Sequence, residues 1–446
     1  MEVQTAAEYG LLRNRPFLAL WSAQILSMVA ANALTSALIV LVAEITRSNT
    51  SSSFLILLAI VPAVVFGIFA GVFVDRSDRR LVLIATNALR AAAVVVILIF
   101  GEDLATAYIV SFLVASVTVF FVPAEAATIP GIVRKRDLLI ANSLFTFTFN
   151  GAFLLGFIIL APLIIAFAGF PALFAIIIAM FGLAAVLCVT LPASEPVKET
   201  LGVDVAGVAV QRGKRDIGEA LRFLAGQPRI AWSLVYIAVT YTLIAVAGAL
   251  APGYVREVLL LPERAVALIV APAGLGVVAG LGLLNVAGRR FGHGRAVGFG
   301  LSATVVALVV LASARPLALI AGRATQGGGL AGLPYFIGLV VVTTFVFGVA
   351  YAFITVPSMT LVQEELPDLI RGRVFGVLNV LISIFSLLPI VIVGPVADLW
   401  GVAPVFLGGA VLVIAAWLGG RRVRAGAPDA ADDMNVTGDT GRRTID

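Results

Sequence analysis

Residues Gly71-Val72-Phe73-Val74-Asp75-Arg76-Ser77-Asp78-Arg79-Arg80 form a short charged insert between two long apolar runs, near 54–74 and 81–100. Each run is close to the roughly 20 apolar residues that a helix needs to cross a bilayer. The insert carries three arginines, and topology keeps such residues on the cytoplasmic side. This stretch therefore reads as a membrane hairpin with an inner loop.

The rest of the chain repeats the pattern. Of 446 residues, 61% are hydrophobic and 12% are charged, against about 25% charged in soluble domains. That balance excludes a soluble enzyme, a secreted disulfide scaffold and a disordered chain. A single cysteine, Cys188, excludes an internal disulfide and a thiolate cluster, and a single histidine, His293, excludes a histidine metal site. No Walker motif is present, so no ATPase is expected, and no cofactor or metal is implied. The polar first 16 residues do not resemble a signal peptide.

Apolar runs suited to spanning lie near 17–43, 54–74, 81–100, 104–122, 141–167 and 171–190, then near 230–251, 266–286, 296–313, 334–356, 374–396 and 403–419. The turn Gly169-Phe170-Pro171 divides a stretch too long for one crossing. The Gly-rich stretch 315–333 reads as an outer loop. With the N-terminus inside, 22 of the 30 Lys and Arg fall on inner segments close to the spans, while Arg47, Arg256, Arg264, Arg315 and Arg323 fall outside. Both termini are therefore expected in the cytoplasm, and the even span count agrees.

The expected organisation is an N-terminal six-helix bundle over 1–191, a cytoplasmic linker over 192–229, a C-terminal six-helix bundle over 230–424 and a disordered tail over 425–446. Asp216 to Ala225 within the linker reads as an amphipathic helix along the membrane surface.

The halves echo each other. Val122-Pro123 ends the fourth span and Val356-Pro357 the tenth, each followed by a further proline and a basic cluster (Arg134-Lys135-Arg136; Arg371 and Arg373). Two parallel six-span repeats are the layout of transporters that rock one bundle against the other.

The insert at Gly71, Asp75, Arg76, Arg79 and Arg80 resembles the signature loop of the major facilitator superfamily, and the resemblance covers about residues 11 to 420. Asn14-Arg15-Pro16-Phe17, Pro123 to Val133 and Arg371-Gly372-Arg373 are similar to the drug- and siderophore-exporting branch, which includes macrolide and enterobactin exporters. The fold class this implies is all-α integral membrane: twelve transmembrane helices in two pseudo-symmetric six-helix halves. The chain departs from the branch at four places: Ala30-Ala31 replaces Gly-Asp, Gly156-Phe157 replaces Gly-Pro, the fourth span has no arginine, and Asp78 replaces a glycine.

The resemblance also assigns residues. Asp75, beside the N-terminus of the eleventh span, would be stabilised by the partial positive charge there, and with Arg76, Arg79, Arg80, Arg371 and Arg373 it would form a gate. Spans 1, 4, 7 and 10 would line the cavity. Polar residues then fall on one face in three of them: Gln24, Ser27, Asn32 and Thr35; Ser233, Tyr236 and Thr240; Thr344, Tyr351 and Thr355. Interhelical hydrogen bonding is the rival reading of each. Arg90, near the middle of its span, is a charge where one costs at least about 2.5–3.5 kcal/mol. Arg90, Glu125 and Glu44 are the candidates for ion coupling or buried charge, with Glu44 and Asp398 also read as interfacial.

The resulting expectation is a secondary transporter in a bacterial plasma (inner) membrane. It would export small amphipathic or apolar compounds by alternating access, with the proton gradient as energy source. The expected partners are a small-molecule substrate, protons and the lipid bilayer, with no nucleic acid, and the chain is expected to be a monomer. A lipid or lysolipid flippase, an uncoupled uniporter and a non-transporting sensor or scaffold stay open as alternatives.

Overall fold

The computed structural model describes residues 11–193, 218–219, 221–287, 292–324, 333–366, 374 and 387–426. Ten helices are long and apolar enough to cross a membrane. One of these, Ile140–Val189, is broken at Gly169 and so makes two crossings, and the shorter Leu387–Trp400 completes twelve. The first half contains α1 (Arg15–Thr46), α2 (Asn49–Asp75), α3 (Arg79–Phe100), α4 (Leu104–Ile132), α5 (Leu138–Phe153) and α6 (Ala161–Val189). The second contains α7 (Pro228–Glu257), α8 (Ala267–Ala287), α9 (His293–Ala324), α10 (Leu333–Glu365), α11 (Leu387–Trp400) and α12 (Val402–Gly426). This is a multi-pass membrane protein.

Local sequence sets the helix ends. Asn14 caps α1 by accepting from the Phe17 N–H at 3.3 Å, with Pro16 in the first turn. Asn14 Nδ2 also donates to the Ile132 carbonyl at 2.6 Å, which ties the start of α1 to the end of α4. Gly169 adopts φ 79° and ψ 179°, a conformation essentially reserved for glycine, and there the chain turns from the fifth crossing into the sixth. Between α5 and α6 the residues Leu154–Leu160 form a π-helix. Its wider turn presses Gly156 against the α1 backbone at Val29 and Ala33, where a β-carbon has no room.

One expectation needs correction. α9 runs to Ala324, so the first part of 315–333 is helix and not loop; Leu317 to Ala321 favour helix strongly enough to continue it. Within the linker, residues 218–219 and 221–226 are helical. Leu224 there is buried against Ile230, Leu234, Val362 and Leu366, so the segment packs on the ends of α7 and α10.

The repeat is visible in the packing. In the first half α1 packs on α6, α2 on α4, and α3 on both α4 and α6; in the second α7 packs on α12, α8 on α10, and α9 on both α10 and α12. Across the halves, Leu154 and Ile158 of the π turn meet Gly274 of α8, while Asn49, Thr50 and Ser53 of α2 meet Gly394 of α11.

We call the end bearing Arg15 and the 76–78 loop the near end, and the opposite one the far end. Among the described residues, one buried apolar cluster joins the halves at the far end, running through Leu38, Ile97, Val110 and Phe174 to Leu250, Leu308, Ile390 and Val405, and within the second half it continues toward the near end through Tyr236, Val297 and Ala416. At the near end, among the described residues, two clusters stay apart. One holds Phe17, Leu83, Phe121 and Ala184 of the first half, the other Leu224, Leu234 and Val362 of the second.

Candidate functional site

The near-end loop is built by capping. Asp78 accepts from the Arg80 N–H at 3.0 Å and so caps α3, which accounts for an acid where the resemblance has glycine; such a cap is worth about 1 kcal/mol. Ser77 Oγ donates to the Phe73 carbonyl at 2.7 Å, and Arg79 Nη1 donates to the Ala127 carbonyl of α4 at 2.8 Å. Asp75 and Arg76 are exposed, Arg79 and Arg80 half-buried, and Gly71 has open space around it. Arg371 and Arg373 lie outside the described residues.

Inside the first half, α1, α3, α4 and α6 bring together a polar cluster. Asn87 and Arg90 share one face of α3, three residues apart. Ser27 Oγ donates to Asn87 Oδ1 at 2.5 Å, and Arg90 Nη1 donates to Ser27 Oγ at 2.8 Å. Asn87 Nδ2 donates to the Leu83 carbonyl at 2.9 Å and lies 3.9 Å from Cys188 Sγ. The Arg90 guanidinium carbon stands 4.4 Å from the Phe121 ring centroid and 5.6 Å from that of Phe181. Such contacts are worth about 2 kcal/mol when desolvated. Arg90 is 0% exposed and Glu125 6%. Arg90 Nε and Nη2 and Glu125 Oε1 are enclosed without a hydrogen-bond partner.

The predicted cavity residues distribute unevenly. Gln24 is buried inside the first half, its Nε2 donating to the Phe145 carbonyl at 3.3 Å, and Ser27 belongs to the cluster above. Asn32 and Thr35 are half-buried and bond back to the Met28 and Ala31 carbonyls one turn earlier. Tyr236 is buried against Gly420 of α12, and Thr240 bonds back to the Tyr236 carbonyl. Thr344 donates to the Val341 carbonyl. Tyr351 and Thr355 are half-buried; the Tyr351 ring stands edge-on to Tyr241 of α7, with centroids 6.2 Å apart at 86°. The polar pattern of α7 did not single out Tyr241, whose partner comes from another helix.

The far end carries a set of polar links between the halves. Glu44 of α1 receives Arg264 Nε at 2.7 Å and Nη2 at 3.2 Å. The same guanidinium carbon lies 5.6 Å from the Phe170 ring centroid. Glu102, in the loop after α3, has its carboxyl raised above the usual range by burial, an effect Arg264 opposes and Glu44 reinforces. Asp398 of α11 accepts the backbone N–H of Asn49 at 2.7 Å and of Thr50 at 3.0 Å, and the hydroxyls of Ser48 and Thr50 at 2.7 Å each. It thus caps the first turn of α2 from the other half, where a carboxylate meets free N–H groups and the positive end of the helix. Asn49 Nδ2 donates to Glu257 Oε1 at 3.1 Å, and Arg256 bonds the same oxygen at 2.8 Å.

Twelve spanning helices in two matching halves that meet through breakable polar links define a membrane transporter, not an enzyme. The Major Facilitator Superfamily model matches residues 20–389, and the chain belongs to that family. It is 24% identical over 373 residues to the MFS-type transporter YfiS of Bacillus subtilis (strain 168), covering 82% of each chain. It is 34% identical to macrolide efflux protein A of Streptococcus pyogenes over 126 residues, which are 27% of this chain and 31% of that protein. Among solved structures, the nucleoside transporter NupG superposes with a TM-score of 0.65 at 13% identity, covering 91% of this chain and 98% of that one. A bacterial homologue of the human lysosomal transporter Spinster, in an inward-facing and unoccupied conformation, gives 0.66 at 14% identity, covering 92% and 98%. At these identities the structural likeness speaks for the fold.

Proposed function

We propose that the protein exports small amphipathic or apolar compounds, drug- or siderophore-like in character, by alternating access and in exchange for protons. Its setting is a bacterial inner membrane, with the near end and both termini in the cytoplasm, and it acts as a monomer. The observation that carries this reading is the division of the apolar core, continuous between the halves at the far end and separate at the near end. Rocking would exchange the two arrangements. The moving bodies would be 1–191 and 230–424, joined by 192–229, with 425–446 as tail.

The similarity to a macrolide efflux protein supports export and a bulky amphipathic cargo. Tyr241, Tyr351 and Thr355, with Asn32 and Thr35, supply aromatic and weakly polar groups suited to such a cargo. In the opposite state, Asp75 with Arg76, Arg79, Arg80, Arg371 and Arg373 would hold the near end shut, as Asp398 and Arg264 hold the far end here.

The test is transport by purified protein in proteoliposomes under an imposed pH gradient. Probes are erythromycin, a lipophilic cation and a ferric siderophore, with an internal pH dye. Movement of one probe together with protons supports the reading. If none moves in wild type, or one moves with no effect of the gradient, coupled export is wrong.

A further inference from the structure

We infer that Glu125, one helical turn beyond the Phe121 ring that Arg90 stands over inside the N-terminal half, is the proton-binding site of the transport cycle, away from the seam where cargo would pass; this rests on the proton-coupled reading above. Glu125 carries a carboxyl oxygen enclosed without a donor well inside a spanning helix; among the described residues the other such acid, Glu263, sits at the far-end start of its span, 3.6 Å from Arg256. The surroundings of Glu125 are sparse in charge. Arg90 of α3 is the charged group near it, standing over the Phe121 ring one turn away on α4, and Cys188 of α6 lies 3.9 Å from Asn87 on the same face of α3 as Arg90. α1 contributes the neutral Ser27 and Gln24 to this region. Arg79 lies further toward the near end on the Ala127 carbonyl.

Arg90 is only partly hydrogen-bonded. One of its three nitrogens bonds Ser27, two are unpaired, and its faces lie against Phe121 and Phe181. With Glu125 ionised, the two buried charges compensate. Adding one proton to the carboxylate oxygen forms a neutral acid and leaves Arg90 as a single uncompensated charge in the core. That state is costly, and the cost falls in any conformation that admits water to Arg90. Protonation and conformation are thereby linked, and by reciprocity the conformation alters the affinity for the proton. The proton enters as H⁺ from one side and leaves unchanged to the other.

α4 provides the means to move. Glu125 stands between Pro123 and Pro130, both inside the helix. Each removes an i to i−4 hydrogen bond, so this stretch can bend. Ser27 of α1, which also spans toward the second half, would carry the change in the pair to the seam.

The experiment is infrared difference spectroscopy of the full-length protein in lipid across a pH series, run beside erythromycin accumulation driven by a pH gradient. The wild type and Glu44→Gln are expected to show the carbonyl stretch of a protonated buried carboxyl; Glu125→Gln is expected to lose both that band and gradient-driven accumulation. Glu125→Asp keeps the acid, and is expected to keep the band with a shifted pH midpoint, which decides the matter if the Gln variant does not fold. A band that persists in Glu125→Gln, or does not shift in Glu125→Asp, overturns the assignment. So does gradient-driven accumulation that survives in Glu125→Gln. Absence of accumulation in wild type overturns coupled export instead, and the band still judges Glu125.

Discussion

Glu44 and Arg264 stand 220 positions apart in the chain, yet both carboxylate oxygens of Glu44 receive hydrogen bonds from the Arg264 guanidinium. The pair closes the seam between the halves at the far end. The Arg264 side chain is 55% exposed, so the pair is worth only about 0.2–1 kcal/mol and is screened by salt. Reversing one charge with Arg264→Glu is predicted to raise the labelling, by a membrane-impermeant thiol reagent, of a cysteine introduced at the far end. Swapping both, with Glu44→Arg and Arg264→Glu, is predicted to restore protection. Lack of rescue by the swap would remove the pair from the gate.

Asp398 is predicted to matter more. It makes four short bonds to the first turn of α2. Asp398→Asn keeps the shape and removes the charge, and is expected to shift the equilibrium by about 1–2 kcal/mol away from the far-end-closed state, roughly 5–30-fold in population. Spin labels on α2 and α11 would report the separation. Their distance distribution should broaden toward longer values, and an unchanged distribution would contradict the role. The single, buried Cys188 makes such labelling practical.

Gly394 offers a steric counterpart. A β-carbon there meets the Thr50 α-carbon at 2.6 Å, backbone that cannot step aside. Gly394→Val is predicted to fold, because the clash lies between halves, and to hold the far end open with transport abolished. Thiol labelling and erythromycin flux in parallel would check it.

Tyr351 and Tyr241 form an edge-on pair between α10 and α7. Such a pair contributes about 0.5–1.5 kcal/mol. Tyr351→Ala is predicted to raise the KM for an aromatic or macrolide substrate twofold to tenfold, with less effect on a small polar compound. Equal effects on both would point to a structural role.

Asn14 tests the near end. Its side chain caps α1 and also bonds the Ile132 carbonyl of α4. Asn14→Ala is predicted to destabilise the first half by about 1–2 kcal/mol, seen as a lower melting temperature in detergent.

The crossings were legible because length, hydropathy and arginine placement are properties of single segments. The break at Gly169 was legible for the same reason, since a 50-residue apolar run cannot be one span. The first part of 315–333 was misread because its glycines outweighed the Ala and Leu that continue α9. The polar stripes were harder to interpret. Asn32, Thr35, Thr240 and Thr344 bond carbonyls of their own helices, and a helical wheel cannot tell that from facing a cavity. The far-end links escaped because Asp398 meets Asn49 from 349 residues away. Glu44 and Asp398 looked like isolated acids at span ends, with no local signal naming their partners. Likewise the π turn depends on Gly156 fitting the α1 backbone, a condition set by α1 and not by the sequence of 154–160.

Arg90 has a consequence for biogenesis. α3 leaves the ribosome before Phe121 and Phe181 have been made, and of the contacts that surround its guanidinium only Ser27 on α1 already exists. A lone helix with arginine at its middle is a poor guest in lipid. The third segment is therefore expected to linger at the insertion machinery until the fourth and sixth arrive. The first half would then enter the bilayer as a cooperative packet, and its yield in the cell would depend on how quickly the aromatic shelter around that one cation is completed.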